Sequence, residues 1–225
     1  MSNLKHNGRL RWVPSYLRRQ GQATRGQRRA IREHWPRFGL TFRHGFVIDL
    51  AAAFDTDRPV VMEIGFGMGD HLVARAAEEP DTPFLGIEVH RPGLGSALTK
   101  IVVAGLSNVR LIRGDARLVL SDHLDGRPFR EIVLLFPEPW PRPDDAHRRI
   151  MQPDLLALSA RRLSPGGTFR FATDVVAYAT EADQVFATHP EWTAIDPAPR
   201  PRTCYEAKGI AEGREISDRA WRFEA

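Results

Sequence analysis

The sequence predicts an α/β fold built on a doubly wound, mostly parallel sheet. From residue 60 onward, short apolar runs alternate with longer helix-like stretches, which is typical of βαβ units. The chain has 225 residues, of which 42% are hydrophobic and 27% are charged. This size and composition fit one full-sized domain and exclude a disordered or fibrous protein.

Two segments differ in charge, and they suggest how the chain is organised. Residues 1–45 form a predicted basic N-terminal arm, and residues 46–225 form the predicted catalytic domain. Within the arm, Thr24 is a suitable N-cap for a helix that Pro36 would end.

The elements of the domain follow from apolar runs and from the capping residues beside them. Five strands are predicted, with a last extended segment near residues 214–223, and the strand ranges are 60–64, 84–89, 109–112, 131–136 and 168–173. Asp70 is the expected cap of the helix after the first strand, and Asp115 that of a short helix after the third. Further helices are predicted over residues 92–106, from Pro153 to a stop at 164–167, and over 176–189.

Several classes of protein are disfavoured by what the sequence lacks. One cysteine cannot form an internal disulfide, and the eight histidines are scattered without ligand spacing, so we expect no metal site. The first residues show no apolar signal region, and the apolar runs are too short to span a bilayer. We therefore expect a soluble cytoplasmic protein without a membrane partner, either a monomer or a homodimer.

The charge of the arm suggests a nucleic-acid partner. Among residues 1–44, Glu33 is the one acid against eleven Lys and Arg, and Trp12, Tyr16 and Trp35 lie between the arginines. Basic side chains bind phosphates with release of counterions, and aromatic rings stack on bases. A solvated arm that only aids solubility explains the same charge, and composition does not decide between the two.

A glycine-rich turn after the first strand predicts an adenosine-containing ligand. Gly65, Gly67 and Gly69 follow the strand, and Glu88 ends the second strand, where doubly wound folds place the carboxylate that binds ribose hydroxyls. The spacing differs from the dinucleotide fingerprint, and Asp70 at the helix start would repel a pyrophosphate. S-adenosylmethionine, with its ammonium and sulfonium groups, fits these acids better.

Two further acids are candidates on the cofactor side. Glu63 would bind the cationic amino-acid end, and Asp115 would accept a hydrogen bond from the adenine amino group. Each has a structural alternative, because Glu63 is also explained as a buried carboxylate satisfied by backbone N–H groups and Asp115 as a helix cap alone.

The segment after the fourth strand is stiffened by prolines. Four prolines lie within residues 137–143, together with Glu138 and Trp140. Because ligands of open α/β sheets bind at the carboxyl ends of the strands, we expect this loop to present Glu138 to a planar substrate. A proline-rich connector with a surface glutamate is the alternative.

Taken in order, these segments resemble the bacterial tRNA (guanine-N7-)-methyltransferases. The resemblance covers essentially the whole chain, and its motifs lie at residues 63–67, 86–93, 136–140, 172–174 and 203–209, with further matches in the arm at 17–22 and 35–38. Several of these motifs are not shared with methyltransferases in general.

The resemblance implies a Rossmann-like class I fold that methylates N7 of the guanine at position 46 in the tRNA variable loop, with S-adenosyl-L-methionine as methyl donor. It makes Glu138 the catalytic residue and implies two further sets. The cofactor set is Glu63, Gly65, Gly67, Gly69, Glu88, Asp115 and Glu138. The substrate set is Arg142, Asp174, Thr203, Cys204, Tyr205 and Glu206.

Three positions depart from the family pattern, and all lie on the substrate side. Glu138 stands where the family has Asp, and Cys204 stands where it has Lys. Residues 142–147 keep one arginine of a dense basic cluster, so that Arg148 and Arg149 are expected to continue the positive patch. Two other functions therefore stay open: methylation of another RNA or a small aromatic nitrogen heterocycle, and RNA binding without turnover.

Overall fold

The computed structural model describes residues 15–16, 21–41, 43, 45–126 and 128–224. Its strands are β1 (Gly39–Leu40), β2 (Val60–Ile64), β3 (Phe84–Glu88), β4 (Val109–Arg113), β5 (Phe129–Leu135), β6 (Leu163–Thr173), β7 (Trp192–Ile195) and β8 (Ser217–Phe223). Its α-helices are α1 (Arg25–Phe38), α2 (Leu50–Phe54), α3 (Asp70–Glu78), α4 (Arg91–Val103), α5 (Ala116–Asp122), α6 (Pro153–Ala160), α7 (Val176–Ala187) and α8 (Cys204–Ala211). A 3₁₀ helix covers Pro143–Arg148.

The described strands form one sheet in the order β1-β4-β3-β2-β5-β6-β8-β7. The first six strands of that order run parallel, and β8 pairs antiparallel with both β6 and β7. The order reverses direction around β2, as in doubly wound folds. The predicted fold class is thereby confirmed.

Apolar side chains cover both faces of the sheet. One cluster packs α5, α6 and α7 against the sheet and includes Phe186, whose ring stacks on Trp221 at 3.7 Å between centroids. The other cluster packs α1, α3 and α4 against the opposite face, with Leu72, Leu98 and Ile101 fully buried. Two buried faces explain why the parallel strands appear in the sequence as nearly continuous apolar runs.

All five predicted strands exist, but several of the predicted helix boundaries are wrong. Pro36 lies inside α1, which continues to Phe38 because that side chain is buried and the Gly39 N–H caps the Trp35 carbonyl. The α3 N-cap is Gly69 in a left-handed conformation, and Asp70 is the first helical residue, where it pairs with Lys100.

The predicted stop at residues 164–167 belongs to a strand. The β5–β6 register changes from Phe129 opposite Leu163 to Glu131 opposite Thr168, so the intervening residues bulge out of β6. Helix α6 ends earlier, at Ala160. Glycine and proline therefore signalled an irregularity of the sheet here rather than the end of a helix.

Part of the predicted basic arm is built into the folded body. Helix α1 packs on α4, and β1 pairs with β4 at the edge of the sheet. Close contact depends on Gly95 in α4, because a Cβ there would lie 2.6 Å from the Cβ of Gln27. Residues 1–14 and 17–20, which include Trp12 and most of the motif at 17–22, lie outside the described residues.

We expect Gly95→Leu to separate α1 from α4 and to lower the free energy of unfolding by about 1–3 kcal/mol, the usual effect of overpacking. Chemical denaturation measures it. Gly21→Ala is the control, because a Cβ at residue 21 would meet no atom within 4 Å. Equal stability of the Gly95→Leu variant and wild type would contradict the close packing of α1 on α4.

Candidate active site

The carboxyl ends of the parallel strands β2, β3, β4 and β5 lie side by side, and they form what is called here the carboxyl edge of the sheet. Strand β2 continues into the glycine turn, in which Gly65, Gly67 and Gly69 have φ of 69°, 57° and 83°. Residues that have a side chain rarely adopt such φ angles, so this turn requires glycine. The predicted glycine residues are therefore brought together beside the ends of β3 and β5.

Glu88 fastens this turn to the end of β3. One of its carboxylate oxygens accepts from the Gly67 N–H at 2.9 Å, and the other accepts from the N–H groups of Val89 and His90 at 2.7 and 2.8 Å. Burial raises the pKa of Glu88, and these backbone bonds oppose the shift.

Glu63 forms a buried pair that sequence reasoning missed. Its Oε2 lies 2.8 Å from Nδ1 of His71, and both side chains are almost inaccessible to solvent. The Nε2 atom of His71 is buried and has no hydrogen-bond partner. The helical spacing of α3 points His71 toward the sheet, but nothing in the sequence shows which strand residue it meets.

A cleft with about 380 Å³ of empty space, partly open to solvent, lies above the turn. It is lined by Glu63, Gly65, Phe66, Gly67, Met68, Asp70, His71, Leu135, Phe136, Thr203, Cys204 and Tyr205. The first seven residues run from the end of β2 into α3, the next two lie at the end of β5, and the last three lie at the start of α8. Three segments distant in sequence therefore meet around one space.

Helix α8 supplies the wall opposite the glycine turn. The Thr203 hydroxyl accepts from the Glu206 N–H at 3.0 Å and fixes the start of the helix. Tyr205 is 58% exposed, and its ring lies close to Gly67. Partial burial, together with the acidic groups of Cys204, Glu138 and Glu88, raises the pKa of Tyr205.

The loop after β5 is strained at both ends. Phe136 and Trp140 have φ of 48° and 42°, although neither is glycine. Such conformations persist only when surrounding contacts hold them, and they concentrate at functional sites. Between them, Glu138 is exposed.

Trp140 is a packing residue in this structure. It is 8% exposed, its Nε1 donates to the Ser15 carbonyl at 3.0 Å, and the Arg148 guanidinium lies 3.6 Å from its ring centroid. These contacts make Trp140 part of the packing beneath the loop and leave its ring unavailable as a stacking surface for a base. They also show that residue 15 of the predicted arm reaches the loop that contains Glu138.

Arg149 contacts the same loop from the protein interior. The prediction that it continues a positive surface patch is wrong. The side chain is buried and forms an ion pair with Glu181. Its Nε donates to the Pro139 carbonyl at 2.7 Å, and a terminal nitrogen donates to the Trp140 carbonyl at 3.3 Å. Two adjacent arginines gave no signal that one of them was internal.

Three of the other predicted site residues are committed to neighbours in this structure, and Arg142 is exposed. Asp174 pairs with Arg214 at 2.6 Å, and Glu206 pairs with the buried Arg200 at 2.6 Å. Asp115 caps α5 by accepting from the Arg117 N–H at 2.9 Å, and burial raises its pKa. Arg142 is exposed at the start of the 3₁₀ helix.

Neither a metal centre nor a membrane span is found in the part of the chain that the structure describes. Within it, no three His, Cys, Asp or Glu side chains are grouped closely enough to hold an ion. None of its helices combines the length and apolar character needed to cross a bilayer.

Comparison with known proteins places these features in a family. Residues 57–218 match a family described as "Putative methyltransferase". The tRNA (guanine-N(7)-)-methyltransferase of Halorhodospira halophila is 40% identical over 95% of this chain and 96% of its own length. That of Nitrosomonas eutropha is 40% identical over 92% of this chain and 94% of its own length. The chain belongs to the tRNA (guanine-N7-)-methyltransferase family.

A solved structure supports the fold independently of close sequence similarity. The 16S rRNA methyltransferase KamB superposes with a TM-score of 0.61 at 16% identity, and the match covers 84% of this chain and 99% of that one. In this methyltransferase fold the glycine turn, Glu88 and α8 occupy the carboxyl edge of the sheet, where ligands of open α/β sheets bind.

The Glu63–His71 pair yields a stability prediction. We expect His71→Leu to lower the free energy of unfolding by about 1–3 kcal/mol, because it leaves the buried Glu63 carboxylate without its partner. Thermal and chemical denaturation measure this change. The control is Glu63→Leu combined with His71→Leu, which removes both partners and should recover much of the loss. A single variant as stable as wild type would contradict the pairing.

Proposed function

We propose that this chain transfers the methyl group of S-adenosyl-L-methionine to N7 of a guanine in tRNA, the variable-loop guanine at position 46. The observation that carries the proposal is the match of 40% identity over 95% of the chain to a relative named for that activity. The proposal makes tRNA the partner and the cytoplasm the place of action.

The residues at the sheet edge fit an adenosyl cofactor. A Cβ built on Gly65 would meet no atom within 4 Å, and one built on Gly67 would just reach the Tyr205 ring, at 3.9 Å. A Cβ at Gly93 would instead lie 2.2 Å from the Gly67 carbonyl, which shows how closely α4 supports the turn from behind. The open side of the turn is where a ligand can approach the backbone.

Each cofactor residue then has an assigned group. Glu88 would accept hydrogen bonds from the ribose hydroxyls, Asp115 would accept one from the adenine amino group, and Glu63 would attract the ammonium group. When bound, S-adenosyl-L-methionine supplies an electrophilic methyl group on its sulfonium. The backbone of Gly65 and Gly67 lets this ligand lie against the turn without obstruction by side chains. Gly69 has a different reason to be glycine, because a Cβ there would lie 2.7 Å from the Ala97 Cβ in α4.

The main task of the protein in this reaction is to position guanine N7 in line with the methyl group. N7 of guanine has a lone pair and no proton, so no general base is needed. Holding two reactants in line contributes roughly 7–11 kcal/mol to lowering the barrier. The strained segment from Phe136 to Trp140, fixed by Arg149, is the part of this chain suited to hold the base at a fixed place.

Glu138 is the acid available for the guanine. It is exposed, whereas Asp174 and Glu206 are both paired with arginines. Its carboxylate would accept from the N1–H and N2–H₂ groups of guanine and would stabilise the positive charge that develops on the ring. The exposed ring of Tyr205 is a stacking surface for a base turned out of the RNA.

Incubation with unmodified tRNA and methyl-labelled S-adenosyl-L-methionine tests the proposal. We expect label in N7-methylguanine within the variable loop. A Glu138→Gln variant should transfer the methyl group more slowly. Label in a different base or only in a small heterocycle would refute the proposal, and so would tRNA binding without any transfer.

Glu88 predicts a pH dependence. Its raised pKa means that the proton is bound more tightly in the folded protein, so this group adds stability below about pH 4.3 and loses it as pH rises through the raised value. Cofactor binding has the opposite sign, because the ionised carboxylate accepts from the ribose. We expect affinity for S-adenosylhomocysteine to fall as pH drops through the raised pKa.

Calorimetric titration at decreasing pH measures this effect. In Glu88→Gln, affinity should be lower at neutral pH and should depend less on pH in this range than in wild type. A variant that binds as tightly as wild type, with the same pH profile, would contradict the role of Glu88.

Arg149 yields a test of the loop. We expect Arg149→Met to lower kcat by about 10²-fold, since misplacement by roughly 1 Å has that effect. The Kd for S-adenosylhomocysteine should stay within about twofold, because Arg149 contacts the loop after β5 and not the glycine turn.

The matched control is Arg161→Met, at an exposed position after α6. Parallel loss of cofactor affinity and kcat in Arg149→Met would indicate a general structural defect instead of loop positioning.

A further inference from the structure

We propose that a second cavity, formed by α1, β1 and the ends of β4 and α4, binds one nucleotide of the tRNA away from the methylated guanine. This rests on the proposed function. The cavity has about 840 Å³ of empty space, including open solvent, and it is lined by Ile31, Trp35, Leu40, Thr41, Arg91, Leu94 and Arg113.

The walls suit the flat face of a base. Ile31, Leu40 and Leu94 make one apolar surface, and the partly buried Trp35 indole adds an aromatic one. The indole lies directly on the backbone of residue 39, where a Cβ would be 2.2 Å from the ring. Glycine at that position therefore lets the ring take this place. Aromatic rings that are held in one orientation are the usual stacking surfaces for unpaired bases.

The charges suit the phosphate of the same nucleotide. Arg91 and Arg113 line the cavity, and no acidic side chain is among the lining residues that the structure describes. Helix α1 brings further arginines to this side of the molecule, at positions 25, 28, 29 and 32, with Glu33 as its one acid.

Position separates this cavity from the methyl-acceptor site. Strand β4 is three places from β5 in the sheet order, so its end lies about 14 Å from the loop that contains Glu138, at roughly 4.8 Å per strand. The described residues that line the cavity and those that line the cleft above the glycine turn share no member. The nucleotide held here is therefore a different one from the guanine that is methylated.

Two variants test the cavity, one by volume and one by charge. Thr41→Trp fills the mouth from an exposed position, and Arg113→Glu reverses an exposed charge. The matched control is Arg222→Glu. Arg222 is exposed on β8, which lies on the side of the sheet opposite β1 and β4, and its charge change is the same.

Affinity for tRNA and for S-adenosylhomocysteine is measured for each variant. We expect both cavity variants to bind tRNA about tenfold more weakly, with cofactor affinity unchanged and the Arg222→Glu control within about twofold of wild type. Equal losses in Arg113→Glu and Arg222→Glu would reduce the effect to overall charge and overturn the proposal. Parallel loss of cofactor affinity would assign the cavity to the cofactor and overturn it too.

A second measurement does not depend on methyl transfer. Adenosine 5′-monophosphate, which lacks the N1–H and N2–H₂ groups of guanine that Glu138 would bind, is titrated by ligand-observed NMR into the protein saturated with S-adenosylhomocysteine. We expect weak binding that Thr41→Trp abolishes and Arg222→Glu preserves. Binding that persists in Thr41→Trp, or no binding to wild type, would refute the nucleotide site whether or not the protein methylates tRNA.

Discussion

The Glu88 carboxylate holds together the part of the molecule on which the site depends. By accepting three backbone N–H groups, it joins the turn after β2 to the start of α4. The same turn forms the floor of the cleft that α8 and the end of β5 complete. A buried carboxylate is stable there because the peptide dipoles replace the water that it has lost. The other walls of the cleft surround a turn whose shape the Glu88 carboxylate fixes.

The substrate side uses a different constraint. Proline and two positive φ angles stiffen the segment from Phe136 to Trp140, and contacts from three directions keep it in place. The Phe136 N–H bonds to Ala172 in β6, Arg149 binds the carbonyls of Pro139 and Trp140, and Ser15 accepts from the Trp140 indole. Residue 15 of the arm therefore helps to fix the segment from Phe136 to Trp140, in addition to any contact of the arm with RNA.

The sequence predicted the central elements because their signals are local. Strands β2 to β6 appear as apolar runs, and the glycine turn and the end of β3 identify the cofactor edge without knowledge of the fold. Thr24 and Asp115 were correctly identified as helix caps, since capping depends on residues three or fewer positions away. Helix α8 was missed as an element, although its residues were selected through the family resemblance.

The remaining features depend on which distant residues meet. His71 pairs with Glu63 across β2 and α3, Arg149 turns inward toward Glu181, and Asp174 and Glu206 are each neutralised by an arginine. The periodicity of the sequence does not specify such partners, because several residues of the same chemical type could form each pair. The bulge in β6 has the same origin: the register of β5 against β6 decided the structure of residues 164–167, and local propensity did not.

A crystal structure of the protein with S-adenosylhomocysteine tests whether Glu88 and the glycine turn hold the cofactor. We expect the ligand to lie along the turn of residues 65–69, with its ribose hydroxyls within hydrogen-bond distance of Glu88 and its sulfur facing Glu138. Electron density for the ligand at another edge of the sheet, or with Glu88 out of contact with the ribose, would contradict this expectation.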